Sequence, residues 1–142
     1  MILRSNARLT RGFTLLELMV VIIILALLAS IAAPQVTKYL RRAKGDTAKV
    51  QTRALAAAVD FYQIDMGRYP TTAEGMKALL VAPSPDAKWQ GPYLKQVDSL
   101  TDPWGNPYQY AQPGTHGAVD IFSWGADGKA GGEGDDADIG NW

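Results

Sequence analysis

The sequence predicts an α+β fold: one long N-terminal helix packed on a small antiparallel sheet, followed by an acidic C-terminal loop. Three observations carry this. A 21-residue apolar run, Phe13 to Ala33, holds a single charge, Glu17. A stripe of alternating four- and three-residue spacings carries helical periodicity on to about Tyr62. Two short alternating segments, 108–112 and 118–124, read as strands joined by the turn-forming residues Pro113 to Gly117.

At about 1.5 Å per residue the apolar run spans roughly 32 Å, enough for a bilayer core of about 30 Å. Glu17 is out of place there. A carboxylate in that setting costs roughly 2–4 kcal/mol and marks a functional position whose natural use is pairing with a cation on another copy of the chain. Arg4, Arg8 and Arg11 precede the run with no acid among them. The positive-inside rule keeps that basic start cytoplasmic and puts everything after Ala33 across the membrane. A cleaved signal peptide ending near Ala29–Ala33 is the competing reading, but its apolar stretch would be shorter. A plain single-pass anchor explains the run and the arginines but leaves Glu17 unexplained.

Pro34 predicts an interruption, since it removes a helical hydrogen bond and kinks the axis. Helix is expected to resume from Gln35 to about Tyr62. Val36, Leu40, Ala43, Thr47, Val50, Ala54, Ala57 and Phe61 form the expected core face. Lys38, Arg41, Arg42, Lys44, Lys49 and Arg53 line the other faces, either solvated or meeting acidic surfaces of neighbouring subunits. Gly67 and Pro70 stop the helix. Thr71 and Glu74 have capping-box spacing and predict a short second helix to about Val81. Residues 83–107 are dense in turn formers.

Composition excludes several classes. The 142 residues carry no net charge, and six of the seven charged side chains from Val119 onward are acidic. That balance argues against nucleic-acid binding, which needs a basic stripe. No cysteine is present, so neither a disulfide nor a thiolate metal site can form. His116, Asp120 and Ser123 imitate a catalytic triad, yet no nucleophile-elbow motif accompanies them, and an enzyme is not expected.

Arg11-Gly12-Phe13-Thr14-Leu15-Leu16-Glu17 resembles the cleavage and methylation motif of type IV pilins and of the pseudopilins of type II secretion. The resemblance implies that a prepilin peptidase/methyltransferase cuts between Gly12 and Phe13 and methylates the new Phe13 amine. It implies that Glu17 pairs with that amine on a neighbouring subunit during assembly. The chain then divides into a leader (1–12), a transmembrane and assembly half of the helix (13–33) and a pilin-like head (34–142) that includes the second half of the helix (34–62). Arg68–Thr72, Asp102–Tyr108, Asp120–Ser123, Gly125–Gly128 and Ala137–Trp142 are similar to the major pseudopilins of type II secretion, so the likeness runs from Arg11 to the last residue. What it implies is a subunit of the periplasmic pseudopilus, anchored in the inner membrane of a Gram-negative bacterium with its head in the periplasm. Implied partners are other copies of itself, minor pseudopilins, the inner-membrane assembly platform, the outer-membrane secretin and the exported cargo, with assembly powered by a cytoplasmic ATPase. The rivals are a type IV pilin for adhesion, motility or DNA uptake, and a tethered calcium-binding module that never polymerises.

Residues 127–138 combine four Asp, one Glu and four Gly. Hard oxygen donors on a flexible backbone suit calcium, which takes six to eight oxygens at about 2.3–2.6 Å. The EF-hand pattern fails, because Lys129 and Gly131 stand where acids belong. The family resemblance implies Asp127 and Asp138 as side-chain ligands, Asp135 or Asp136 as a third, and the carbonyls of Trp124 and Lys129 to complete the shell. Such a metal would be structural. A disordered acidic tail is the alternative.

Overall fold

The computed structural model describes residues 12–85 and 88–142. They fall into two units, divided between Lys38 and Tyr39. Helix α1 runs Leu15–Met66. Its 18-residue apolar window has a mean hydropathy of 2.9 and buries nothing within the chain. The helix continues straight through Pro34, so the expected interruption is absent. The ring removes one amide donor, but its fixed φ near −65° is itself helical, and the turns on either side persist. The helix also ends four residues later than expected, where Gly67 takes a φ of +73° and its amide caps Gln63 at 2.8 Å.

In the second unit three strands form one antiparallel sheet in the order β1 (Gln109–Ala111), β2 (Asp120–Ser123), β3 (Ile139–Gly140). Tyr110 pairs with Ile121 and Ser123 with Ile139. The first two strands lie where the alternation placed them, slightly shorter; β3 was not foreseen. Ile121 is buried among Leu55, Val59 and Tyr62 of α1, with Leu79, Met76 and Tyr108 filling the remaining space. Polar tips tie the layers together: Tyr108 Oη donates to Gln51 Oε1 at 2.7 Å, and Tyr110 Oη to the Pro70 carbonyl at 2.7 Å. Burial pushes both phenols well above the usual tyrosine range.

The core face of α1 is not the one the stripe predicted. Ala48, Thr52, Leu55, Val59 and Tyr62 are buried, with the same four–three spacing, offset from the predicted set. Every member of the predicted stripe is exposed; Val50 and Phe61 expose 66% and 62% of their surface. Two apolar frames overlap on this helix, and the sheet takes only one. A helix apolar on two faces calls for a second partner.

The second helix is shorter and tighter than expected: a 3₁₀ turn over Gly75–Leu79. The expected Thr71–Glu74 capping box does form, on the turn that precedes it. The Thr71 amide donates to Glu74 Oε2 at 2.7 Å, and the Glu74 amide to Thr71 Oγ1 at 3.2 Å. Arg68 grips the same carboxylate with both terminal nitrogens, at 2.7 and 2.8 Å. Those hydrogen bonds from Arg68, against a smaller opposing effect of burial, lower Glu74 from 4.5 to about 2. A depressed carboxylate contributes stability that is complete above its unfolded value and fades as pH falls toward its folded one. Glu74→Gln should therefore be less stable than the native chain at neutral pH, with the difference shrinking between about pH 4.5 and 2. Thermal unfolding of both across that window checks it; a constant difference would refute it.

Candidate assembly site and acidic loop

Gly12, Phe13 and Thr14 precede α1. Thr14 caps the helix: its Oγ1 accepts from the Glu17 amide at 3.2 Å and its carbonyl from the Leu18 amide at 3.2 Å. Thr14 and Glu17 have capping-box spacing, the cue in the sequence for this cap. Glu17 thus lies in the first turn, at the positive end of the helix dipole. Its carboxylate has no hydrogen bond or ion pair among the described residues, and both it and Phe13 are exposed. Arg11 and the rest of the expected leader before Gly12 lie outside the described residues.

The acidic loop folds back on itself. The Ala126 amide donates to the Asp135 carbonyl at 2.9 Å, and a short 3₁₀ turn spans Gly134–Asp136. Gly125 sits at φ +68°, and a Cβ there would lie 2.6 Å from the Asp135 carbonyl oxygen, so this close approach needs glycine. Asp127 Oδ1 accepts from the Lys129 amide and Asp138 Oδ2 from the Gly131 amide, each at 3.0 Å. Asp135 meets Arg41 Nε at 3.3 Å. Among the described residues no three carboxylates or imidazoles converge as a metal shell. The donor chemistry suits calcium, and in this structure Asp127 and Asp138 each accept from a loop amide while Asp135 meets Arg41.

Asp102 and Ser123 form a buried polar centre that was not singled out as functional. Asp102 Oδ1 accepts from the amides of Trp104 and Asn106 at 3.0 and 2.8 Å, and its Oδ2 accepts from Ser123 Oγ at 2.5 Å. Ser123 Oγ in turn accepts from the Gly125 amide at 3.0 Å. Asn106 Nδ2 reaches the Gly125 carbonyl at 3.0 Å. The network pins the 102–106 turn to the end of β2 and the start of the acidic loop. It also dissolves the apparent triad. His116 Nδ1 lies 3.0 Å from Asp120 Oδ2, but Ser123 points to the opposite face of β2 and is committed to Asp102. Asp120 is held below the usual carboxylate range by His116 and by the Thr115 and His116 amides, which outweigh its burial. Its role is to shape the turn between β1 and β2.

The helix-start motif and the head each match a known family. Residues 8–33 match the prokaryotic N-terminal methylation motif. Residues 35–142 match the model for type II secretion system protein G. The chain belongs to the type II secretion protein G family. It is 50% identical over 135 residues to the type II secretion system core protein G of Pseudomonas aeruginosa, covering 92% of this chain and 94% of the relative. Its identity to the corresponding protein of Vibrio cholerae is 46% over 134 residues, with 92% and 90% covered. The crystal structure of the major pseudopilin from the type 2 secretion system of enterohaemorrhagic Escherichia coli superposes with a TM-score of 0.58 at 38% identity, covering 71% of this chain and 88% of that one. The family is a structural pseudopilin subunit and not an enzyme, in agreement with the rejected triad. The match over the whole head favours it over a type IV pilin or a tethered module.

Proposed function

We propose that this chain is the repeating subunit of a pseudopilus that works in type II export of folded proteins. The observation that carries this is a helix too apolar for the single chain: the Phe13–Ala33 run buries nothing, and a second stripe beyond it stays exposed. Lipid covers the run while the subunit waits in the inner membrane. Neighbouring helices cover it in the filament, so extraction exchanges one apolar environment for another and exposes little to water. The head faces the periplasm, and the filament moves cargo toward the secretin. Minor pseudopilins and the inner-membrane platform join in assembly, and a prepilin peptidase first frees Phe13. Coexpression with that peptidase and the secretion machinery should yield surface fibres whose subunits begin, by mass spectrometry, at an N-methylated Phe13. Fibres built from chains that retain residues 1–12 would refute the reading.

The acidic loop takes calcium as a structural ion. Five carboxylates face a single lysine between Asp127 and Asp138, and this crowding supports the reading. Asp127, Asp138 and one of Asp135 and Asp136 would supply the side chains, with the Trp124 and Lys129 carbonyls completing the set. Calcium should raise the melting temperature of the head, and a chelator should reverse the rise. Asp138→Ala should abolish the response; a melting temperature indifferent to chelator would remove the ion from the account.

A further inference from the structure

We propose that Lys38–Lys44 is an interfacial collar that binds the headgroups of anionic phospholipids in the leaflet facing the head. The seven residues, Lys38-Tyr39-Leu40-Arg41-Arg42-Ala43-Lys44, hold four cations and no acid, and they begin five residues after the apolar run ends at Ala33. All seven are exposed, Tyr39 by 74%. Arg41 meets Asp135; Lys38, Arg42 and Lys44 have no carboxylate partner among the described residues. Tyrosine beside lysine and arginine at the end of an apolar helix is the composition of a membrane–water interface, where the ring sits among headgroups and the cations meet phosphate.

The inference rests on the membrane anchoring proposed above. The test uses the full chain in phosphatidylcholine vesicles with and without phosphatidylglycerol. Flotation with neutral vesicles comes first: a chain that does not float overturns the anchor and this inference together. Because the chain has no native cysteine, Thr37→Cys carries a single environment-sensitive fluorophore. Phosphatidylglycerol should cut acrylamide quenching of that label by about half, and high salt should restore it. The triple variant K38Q/R42Q/K44Q should lose the phosphatidylglycerol effect. K49Q/R53Q, farther along the helix, should keep it. Equal quenching in both vesicle types, or equal loss in the two variants, would overturn the collar. Protection that appears in neutral vesicles, rises with protein density and vanishes with D135N/D136N would assign these cations to the acidic loop of a second copy and overturn the lipid assignment.

Discussion

Glu17→Ala is expected to leave membrane insertion intact and to reduce fibre yield by about a hundredfold. In one chain the Glu17 carboxylate is exposed and without a partner among the described residues, at the start of a run that is otherwise apolar. Leaving it so costs roughly 2–4 kcal/mol. Removing it therefore helps insertion. In the proposed filament a freed Phe13 amine on an adjoining subunit would offset that cost, and breaking such a pair by deleting one partner would cost about 3 kcal/mol or more, because the other charge is stranded. At 1.4 kcal/mol per factor of ten this is at least about a hundredfold per added subunit. The helix cap does not depend on the carboxylate, since Thr14 Oγ1 accepts from the backbone amide of residue 17. Loss of fibres would thus not reflect a frayed helix. Glu17→Gln should fail like alanine, and Glu17→Asp should assemble in part, with its charge kept and its reach shortened. Immunoblots of sheared fibres against membrane fractions measure both quantities. Normal fibre yield from the alanine variant would remove the charge pair from the mechanism.

Legibility tracked how local each signal was. The apolar run, the Thr71–Glu74 cap and strands β1 and β2 are written in short windows, and all are present. The core face of α1 was not legible, because 48-52-55-59-62 and 47-50-54-57-61 are equally regular stripes and only the position of the sheet chooses between them. Two-residue β3 has no periodicity to read; it exists because Phe122 and Ser123 of β2 offer their edge to Ile139 and Gly140. At the helix start, Glu17 stood out as the one charge in the apolar run, and the resemblance to the cleavage and methylation motif implied Gly12 and Phe13. In the acidic loop composition suggested calcium and the resemblance implied the donors, but which carboxylate turns toward which amide depends on glycine conformations at 125, 128, 131, 132 and 134 that the sequence only permits. Asp102 looked like another turn former; its value comes from Ser123, twenty-one residues away.

That distant pairing sets the largest stability effect expected in the head. Asp102→Ala should cost about 3 kcal/mol or more, since it strips the acceptor from the Trp104 and Asn106 amides and from the Ser123 hydroxyl in a site where Asp102 is only 5% exposed. For a head of about a hundred residues this is a fall in melting temperature of about 15 °C. Asp102→Asn keeps the shape and one acceptor oxygen for the two amides. Its NH₂ would face Ser123 Oγ, which already accepts from Gly125, so the hydroxyl proton is left without an acceptor and the loss should be nearer 1 kcal/mol. Ser123→Ala should cost a similar amount, since Asp102 retains both amides. The double variant with Asp102→Ala should cost less than the sum, because the two residues share one network. Near-ultraviolet circular dichroism of the full chain in detergent reads the transition through Trp104, whose amide is bound to Asp102. If Asp102→Ala melts within a few degrees of the native chain, this network does not hold the turn to β2, and contacts such as Ala126–Asp135, Arg41–Asp135 and the β2–β3 pairing anchor the acidic loop instead.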